Sequence, residues 1–338
     1  MSEGRVSHPF NAAQSGRQLA GAFRSVGRVA AVCHENPDAD TVGGAIAVAL
    51  IARQLGREVE LISADPVPAA FDFLPLFSEF RPRPDRDADL VVVCDAATLE
   101  RVGRLAIECR SWLEAATVVN IDHHRTNDGF GRLNCVDPTA AATCQVIVEM
   151  LPELGVTTDS DLATALLAGI VRDSHGFSDA ATDARTLRAA AQMVEAGANI
   201  QTVHRRILAE LPYRTLALWG RLLASMERSA DGRVLTAILL PTMLDETGTT
   251  QEDADGFVEF MAQAREADVS VLLREVRSAE TRVSLRVRDG VDATRIAATF
   301  GGGGHRHRAG CTIPAPAARA REQVVAVSLA VLAAGDRS

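Results

Sequence analysis

A chain of 338 residues, 47% hydrophobic with a net charge of −9, holds enough apolar material for two moderate cores and lacks the basic stripe that a long duplex partner needs. The first thirty residues, interrupted by Ser, Gly, Gln and Arg, offer no apolar core for a secretory signal, and runs such as Ala45 to Ala52 fall far short of the roughly 20 residues of a membrane span. A soluble cytoplasmic protein with no membrane partner is expected, its six scattered cysteines, without a CxxC pair, serving as core thiols in a reducing compartment.

From Arg28 to about Ser174, β-rich runs alternate with helical segments, the pattern of a mostly parallel sheet with crossover helices. Strands are predicted at Val29–Cys33, Glu58–Ser63, Leu90–Asp95 and Val118–Asp122, with an apolar helix from Thr41 to a stop at Gly56. Helical patterns follow at Ala140–Leu151, Ser160–Arg172 and Asp183–Ala196. The Ala-rich stretch from Ile200 to about Met226 reads as a helical linker that Pro212 breaks or kinks. Beyond it come strand-like runs at Val234–Leu240, Val269–Val276 and Arg282–Val287, and helical patterns at Gln251–Arg265, Ala293–Phe300 and Ala317–Ala334. The predicted fold is α/β: a mostly parallel-sheet domain (1–196), a linker (197–226) and a smaller α+β domain (227–338), with the active site in the cleft between them.

Four acidic or histidine-bearing segments fall at predicted strand ends or near a helix end, where open α/β sheets bind ligands. HENPDADTVGG carries His34, Asp38 and Asp40 on a loop directly after a buried strand; a loop there can aim three ligands inward, which surface solvation does not require. In VVVCDAA, Asp95 ends an apolar run, and taken alone it reads more readily as a helix cap than as a ligand. VVNIDHH places Asp122, His123 and His124 together, and adjacent side chains on an extended segment point opposite ways, so the two histidines should have different tasks. GIVRDSHGF adds Asp173, for which a solvated helix end is the plain alternative. Carboxylates and imidazoles without thiolate suit hard divalent ions, Mn2+ first and Mg2+ or Co2+ next. Six ligands exceed one tetrahedral ion and suit two ions sharing a carboxylate.

A separate feature is FGGGGHRHRAG, Phe300 to Gly310. Consecutive glycines, Gly302, Gly303 and Gly304 among them, let backbone N–H groups approach an anion, and His305, Arg306, His307 and Arg308 concentrate positive charge in an otherwise acidic chain. Phosphate binding is the functional reading; a flexible connection between helix and strand is the structural one.

HENPDAD, CDAA, DHH and DSHGF in order, followed by GGGGHRHRAG, resemble the DHH phosphoesterase superfamily with its associated DHHA1 domain, across nearly the whole chain. The likeness is greatest to the bacterial NrnA-type group of bifunctional oligoribonucleases and pAp phosphatases, and NCVDPTAAATCQVI and TRVSLRVRDGVDATRIAATFGGGGH support it. The resemblance implies two-metal activation of a bridging water to hydrolyse nanoRNA, linear or cyclic dinucleotides, or 3′-phosphoadenosine 5′-phosphate. It implies that His34 and Asp38 bind one Mn2+, that Asp40, His123 and Asp173 bind the other, that Asp95 bridges them, and that Asp122 supports the ligands from behind. It further implies that His124, Asn127, Ser284, Arg286 and His305 face substrate and that the protein is a homodimer; His124 is our candidate for assisting the leaving group. Two departures bear on substrate fit: His175 stands where the group has a small residue, and Arg308 replaces the usual Ala.

Two rival readings remain. A family II inorganic pyrophosphatase resembles this metal site but carries a basic SRKKQ-like motif that is lacking here, and a nucleotide sensor would bind without hydrolysis. His8 is expected to be disordered and His204 to lie on a partly exposed linker helix. With 4% aromatic residues, a long stacking platform for single strands is not expected.

Overall fold

The computed structural model of the chain describes residues 10–277 and 279–335, and its contacts separate into one unit ending at Glu210 and another beginning at Leu211. In the first unit six strands, β1 (Arg28–Val32), β2 (Glu58–Ile62), β3 (Phe80–Arg81), β4 (Leu90–Cys94), β5 (Thr117–Asp122) and β6 (Leu133–Val136), form one sheet in the order β3-β2-β1-β4-β5-β6. All its pairs are parallel. Buried parallel strands read as continuous apolar runs because helices cover both faces. Alternation then divides β1: Val29, Ala31 and the following Cys33 join the core under the long helices, while Ala30 and Val32 join the opposite one with Val91, Val93 and Leu113.

The strand order reverses between β1 and β4, so the chain segments leaving their carboxyl ends diverge and open a crevice there. The helix Ala39–Gln54, capped by Asp38, crosses from β1 to β2 and packs on the helix Ser160–Asp173. Gly43 lets the two backbones approach closely, since a methyl there would meet the carbonyl oxygen of Ala165. The helix Thr143–Leu154 starts without a side-chain cap on its own N-cap residue; its first amides are bonded by a residue far away in sequence, Asp40.

In the second unit β7 (Glu227–Arg228), β8 (Val234–Leu239), β9 (Val269–Arg277), β10 (Glu280–Val287), β11 (Gly303–His305) and β12 (Arg308–Ile313) follow the order β11-β12-β10-β9-β8-β7. The β8–β9 pair is parallel and the other pairs antiparallel. Helices Ala293–Ala298 and Ala317–Gly335 cover one face over Val271, Leu273, Val283 and Leu285. Leu218, Leu222 and Phe257 cover the β8–β9 end of the other.

Two expectations, one helix over Gln251–Arg265 and a free glycine loop, differ from the structure. The predicted helix Gln251–Arg265 is a 3-10 turn, Gln251–Ala254, and a short helix, Phe257–Met261, split at Gly256, whose φ of +82° ends regular winding. The linker is helical over Ile200–His204, continues as a π-helical turn over Arg205–Ala209, and restarts at Tyr213 after Pro212. The glycine run is no free loop: it forms β11, paired with β12. A helix at Ala12–Arg24, capped by Asn11, was not expected. All six cysteines are free and four of them buried, and no described helix is long and apolar enough to cross a membrane.

Candidate active site

Three of the four predicted segments leave the carboxyl ends of β1, β4 and β5, and the fourth closes the helix Ser160–Asp173. The fold brings them together. His34, Asp38 and Asp95 have ligand atoms within 4.8 Å of one another, as do Asp40, His123 and Asp173, and Asp95, His123 and His124.

His34 is buried immediately after β1, with Nδ1 2.7 Å from the Glu35 carbonyl and Nε2 3.3 Å from Asp95 Oδ2 and 3.8 Å from Asp38 Oδ1. Asp38 also caps the helix Ala39–Gln54, accepting from the amides of Asp40 and Thr41, so cap and candidate ligand are one residue. Asp95 follows β4 with φ +63°, a left-handed conformation a non-glycine residue rarely adopts, and it accepts a hydrogen bond from Thr143 Oγ1 at 2.9 Å. Asp40 is fully buried, its oxygens receiving the amides of Thr143 at 2.6 Å and Cys144 at 2.9 Å. A methyl on Gly169 would run into Asp40 Oδ1 and Cys144 Sγ, so the glycine makes room for this carboxylate.

His123 and His124 do take different directions, as alternation requires. His123 Nδ1 lies 3.2 Å from the Ala140 carbonyl, and Nε2 lies 3.2 Å from Asp173 Oδ2 and 3.5 Å from Asp95 Oδ1. That Nε2 is buried and makes no hydrogen bond. His124 has a side chain 45% exposed, and its Nδ1 bonds Asp122 Oδ1 at 2.7 Å. Asp122, completely buried, also accepts from Asn127 Nδ2 at 2.6 Å. The Asn127 amide has further acceptors in Asn120 and the Ala96 carbonyl, and its oxygen accepts from the Gly129 amide.

The electrostatics follow from crowding. Burial, then the charges of Asp95 and Asp173, raises the Asp40 carboxyl well above its ordinary range, and burial with Asp95 and Asp38 nearby raises Asp173 despite the opposing pull of the adjacent His123 imidazole. Burial alone would lower His34, but Asp38 and Asp95 push it up to about 10; Asp173, Asp40 and Asp95 do the same for His123. Burial works against the ionised Asp38, yet His34 and the Thr41 amide hold it down at about 2. A divalent cation fits this set: it would satisfy the unbonded His123 Nε2 and relieve the repulsion among buried carboxylates. Burial keeps the neighbouring Cys94 and Cys144 thiols raised well above their ordinary value, so oxygen and imidazole remain the available donors, which suits a hard ion.

In the second unit Ser284 and Arg286 lie on β10, and Arg286 is paired with Glu259 through Nε at 2.9 Å and through a second nitrogen. Gly302, Gly303, Gly304 and His305 are at the open edge of the β11–β12 hairpin, with His305 exposed. The glycines there answer a steric demand: a methyl on Gly302 would strike Gly310 and Cys311, and Gly304 has φ +143° against Ala309. His175 is exposed with φ +48°, His204 is exposed at the end of its short helix, and His8 lies outside the described residues. Sequence reasoning did not single out Thr143, Cys144, Gly169 or the Ala140 carbonyl. The run PTAAATCQ was legible as a supporting neighbour, but not as the segment that holds Asp40, Asp95 and His123.

Residues 28–170 match the DHH family N-terminal domain, and residues 231–333 match the DHHA1 domain. The "Bifunctional oligoribonuclease and PAP phosphatase NrnA" of Thermus thermophilus is 34% identical over 83% of this chain and 82% of its own length. The protein of the same description from Bacillus subtilis is 26% identical over 83% of this chain and 87% of its own length. A solved structure of an exopolyphosphatase-related protein from Bacteroides fragilis, with a TM-score of 0.81 and 19% identity, covers 94% of this chain and 95% of that one, a likeness of fold. Both matched domains, in this order and over these lengths, show that the chain belongs to the DHH family of phosphoesterases, hydrolases that act on phosphate esters.

Proposed function

We propose that this enzyme hydrolyses short oligoribonucleotides, linear or cyclic dinucleotides and 3′-phosphoadenosine 5′-phosphate, with two Mn2+ ions that Mg2+ or Co2+ can replace. The observation that carries the reading is the convergence of His34, Asp38, Asp40, His123 and Asp173 about the buried Asp95. It occurs in a chain 34% identical to a protein described as an oligoribonuclease and PAP phosphatase. His34 and Asp38 hold one ion, Asp40, His123 and Asp173 the other, and Asp95 serves both. Bound there, divalent cations supply Lewis acidity, bringing a water's pKa near neutral and offsetting charge on the phosphoryl oxygens.

The chain's own groups do the rest. Asp122 fixes His124 by its Nδ1 and, against the opposing effect of burial, raises its pKa, which favours the protonated imidazole that a general acid needs. As water attacks phosphorus and the ester P–O bond breaks, His124 gives that proton to the leaving oxygen. Asn127 keeps Asp122 in place. In the second unit Arg286 exchanges Glu259 for a substrate phosphate, beside Ser284, His305 and the Gly302–Gly304 backbone. This reading assigns catalysis to residues 1–196, linkage to 197–226 and substrate holding to 227–338, in a cytoplasmic homodimer.

The test is a turnover panel on chelator-stripped protein with and without Mn2+, covering a 5′-phosphorylated dinucleotide, pAp, pGpG, cyclic di-AMP and pyrophosphate, with products separated by chromatography. Turnover should vanish on stripping and return with Mn2+, with nucleotides preferred. Full turnover in the stripped sample would reject the metal mechanism. A preference for pyrophosphate would reject the substrate class, and stoichiometric binding of every compound without turnover would favour the sensor.

A further inference from the structure

Arg185 lies two residues into the helix Ala184–Glu195, whose N-cap Asp183 takes the Arg185 amide at 2.7 Å and forms a capping box with Thr186. Its guanidinium reaches across to the segment after β6 and to the helix Thr143–Leu154 that follows it. Nη2 donates to Asp137 Oδ2 and Glu149 Oε2, both at 2.6 Å; Nε donates to Glu149 Oε1 at 3.1 Å, and Nη1 to Thr139 Oγ1 at 3.0 Å. This is unlike an exposed surface pair, because the Asp137 side chain is 5% exposed. Removing its cation strands a buried carboxylate. The neighbouring Thr186 hydroxyl joins the same network by donating to Gln145 Oε1, which also takes the Ala141 amide.

What lies between Asp137 and Glu149 gives the clamp its consequence. Ala140 offers its carbonyl to His123 Nδ1. Thr143 and Cys144 bind Asp40 through their amides, and the Thr143 hydroxyl binds Asp95. Five residues, Ala140 to Cys144, thus orient three candidate ligands from both histidine-bearing and carboxylate sides of the centre, and Arg185 holds residues on either side of this segment, Asp137 and Thr139 before it and Glu149 after it. A carbonyl at His123 Nδ1 selects the tautomer whose Nε2 can donate to a cation, and such outer partners change metal affinity on the order of 10–100-fold when removed.

We propose that Arg185 is a positioning residue of the phosphoesterase reaction: by tying Asp137, Thr139 and Glu149 together it fixes the Ala140–Cys144 segment that orients His123, Asp40 and Asp95 for cation binding. Lysine cannot reproduce it, since one ammonium lacks the planar fork that meets two carboxylates and a hydroxyl at once. The inference rests on reading the cluster as a cation site.

The experiment is calorimetric titration of Mn2+ into chelator-stripped full-length protein, with thermal midpoint and steady-state kinetics measured in parallel. Arg185→Ala should weaken Mn2+ binding by about tenfold or more. At saturating Mn2+ its KM for a 5′-phosphorylated dinucleotide should stay within about twofold of wild type, and Arg185→Lys should recover only part of the affinity. Arg17→Ala is the control: Arg17 is bound to Glu153 on the same helix, Thr143–Leu154, at 3.3 Å and is 62% exposed, and its loss should leave Mn2+ affinity unchanged. Should Arg185→Ala fail to fold, Glu149→Gln keeps the side-chain shape and should weaken Mn2+ binding in the same direction by a smaller factor. A lowered thermal midpoint with unchanged Mn2+ affinity in the folded variants would make the role merely structural and overturn the inference. If the wild type itself takes up no Mn2+, the metal-dependent reading fails, and the inference with it.

Discussion

Gly169 and Asp40 meet where the helix Ser160–Asp173 passes the candidate centre. Space is so short there that one added methyl contacts both Asp40 Oδ1 and Cys144 Sγ. Overpacking of this kind costs about 1–3 kcal/mol, and here the yielding group would be a carboxylate already fixed by two amides. Gly169→Ala is expected to lower the thermal midpoint and to weaken cation binding and kcat together; a variant with wild-type Mn2+ affinity would show that the helix shifts instead of Asp40. The two buried imidazoles bring a pH signature. In the cation-free protein burial lowers His34 and His123, but the facing carboxylates prevail and hold both at about 10, above the roughly 6.5 of an unfolded chain. A folded value above the unfolded one gives stabilisation that is complete below about pH 6.5 and lost as pH rises through about 10. Thermal midpoints of chelator-stripped protein should therefore fall across that window, while Mn2+ affinity rises, since the cation must displace the protons. Midpoints that climb over the same range would contradict the assignment.

At the scale of elements, the β11–β12 hairpin separates two tasks that one motif could have combined. Its edge carries His305, and its glycines are demanded by Gly310, Cys311 and Ala309 packing against them. The candidate ligands, by contrast, all belong to the first unit. His305→Ala should leave bound Mn2+ unchanged by elemental analysis and lower kcat/KM on a dinucleotide far more than on a small artificial phosphodiester; loss of Mn2+ would refute this separation. The same contrast explains what the sequence made legible. β1, β2, β4 and β5 lie within a residue of their predicted ends because buried parallel strands leave uninterrupted apolar runs, and their carboxyl ends carry the acidic residues. β11 was hidden because a glycine run has no side-chain pattern, and its pairing partner β12 supplies the only reason for it to be extended. The supports of the centre were hidden for another reason. Thr143 and Cys144 act on Asp40 through backbone amides across more than a hundred residues, and no residue type announces an amide.

For the whole molecule, charge bears on the substrate length proposed above. The chain carries 35 Lys and Arg against 44 Asp and Glu, a net charge of −9, and many of its arginines are engaged by carboxylates: Arg28 with Glu58, Arg53 with Glu79, Arg83 with Glu108, Arg185 with Asp137. Such pairs leave little cation to replace the counterions along a long phosphate backbone, so each nucleotide beyond those held at the site adds repulsion without counterion release. The scarcity of aromatic residues, 4% of the chain, also removes the stacking platform that would capture extra bases. On the proposed short-oligonucleotide reading, kcat/KM on 5′-phosphorylated RNAs should be highest for dimers to roughly pentamers, and by the charge argument it should fall for a 24-mer, with the fall steeper at low salt, where repulsion is less screened. Raising the salt should narrow the gap between short and long substrates. In a protein that grips a long backbone through basic residues, salt would instead depress the 24-mer selectively. Equal or rising efficiency with length at physiological salt would reject the short-substrate reading and point to a processive exonuclease.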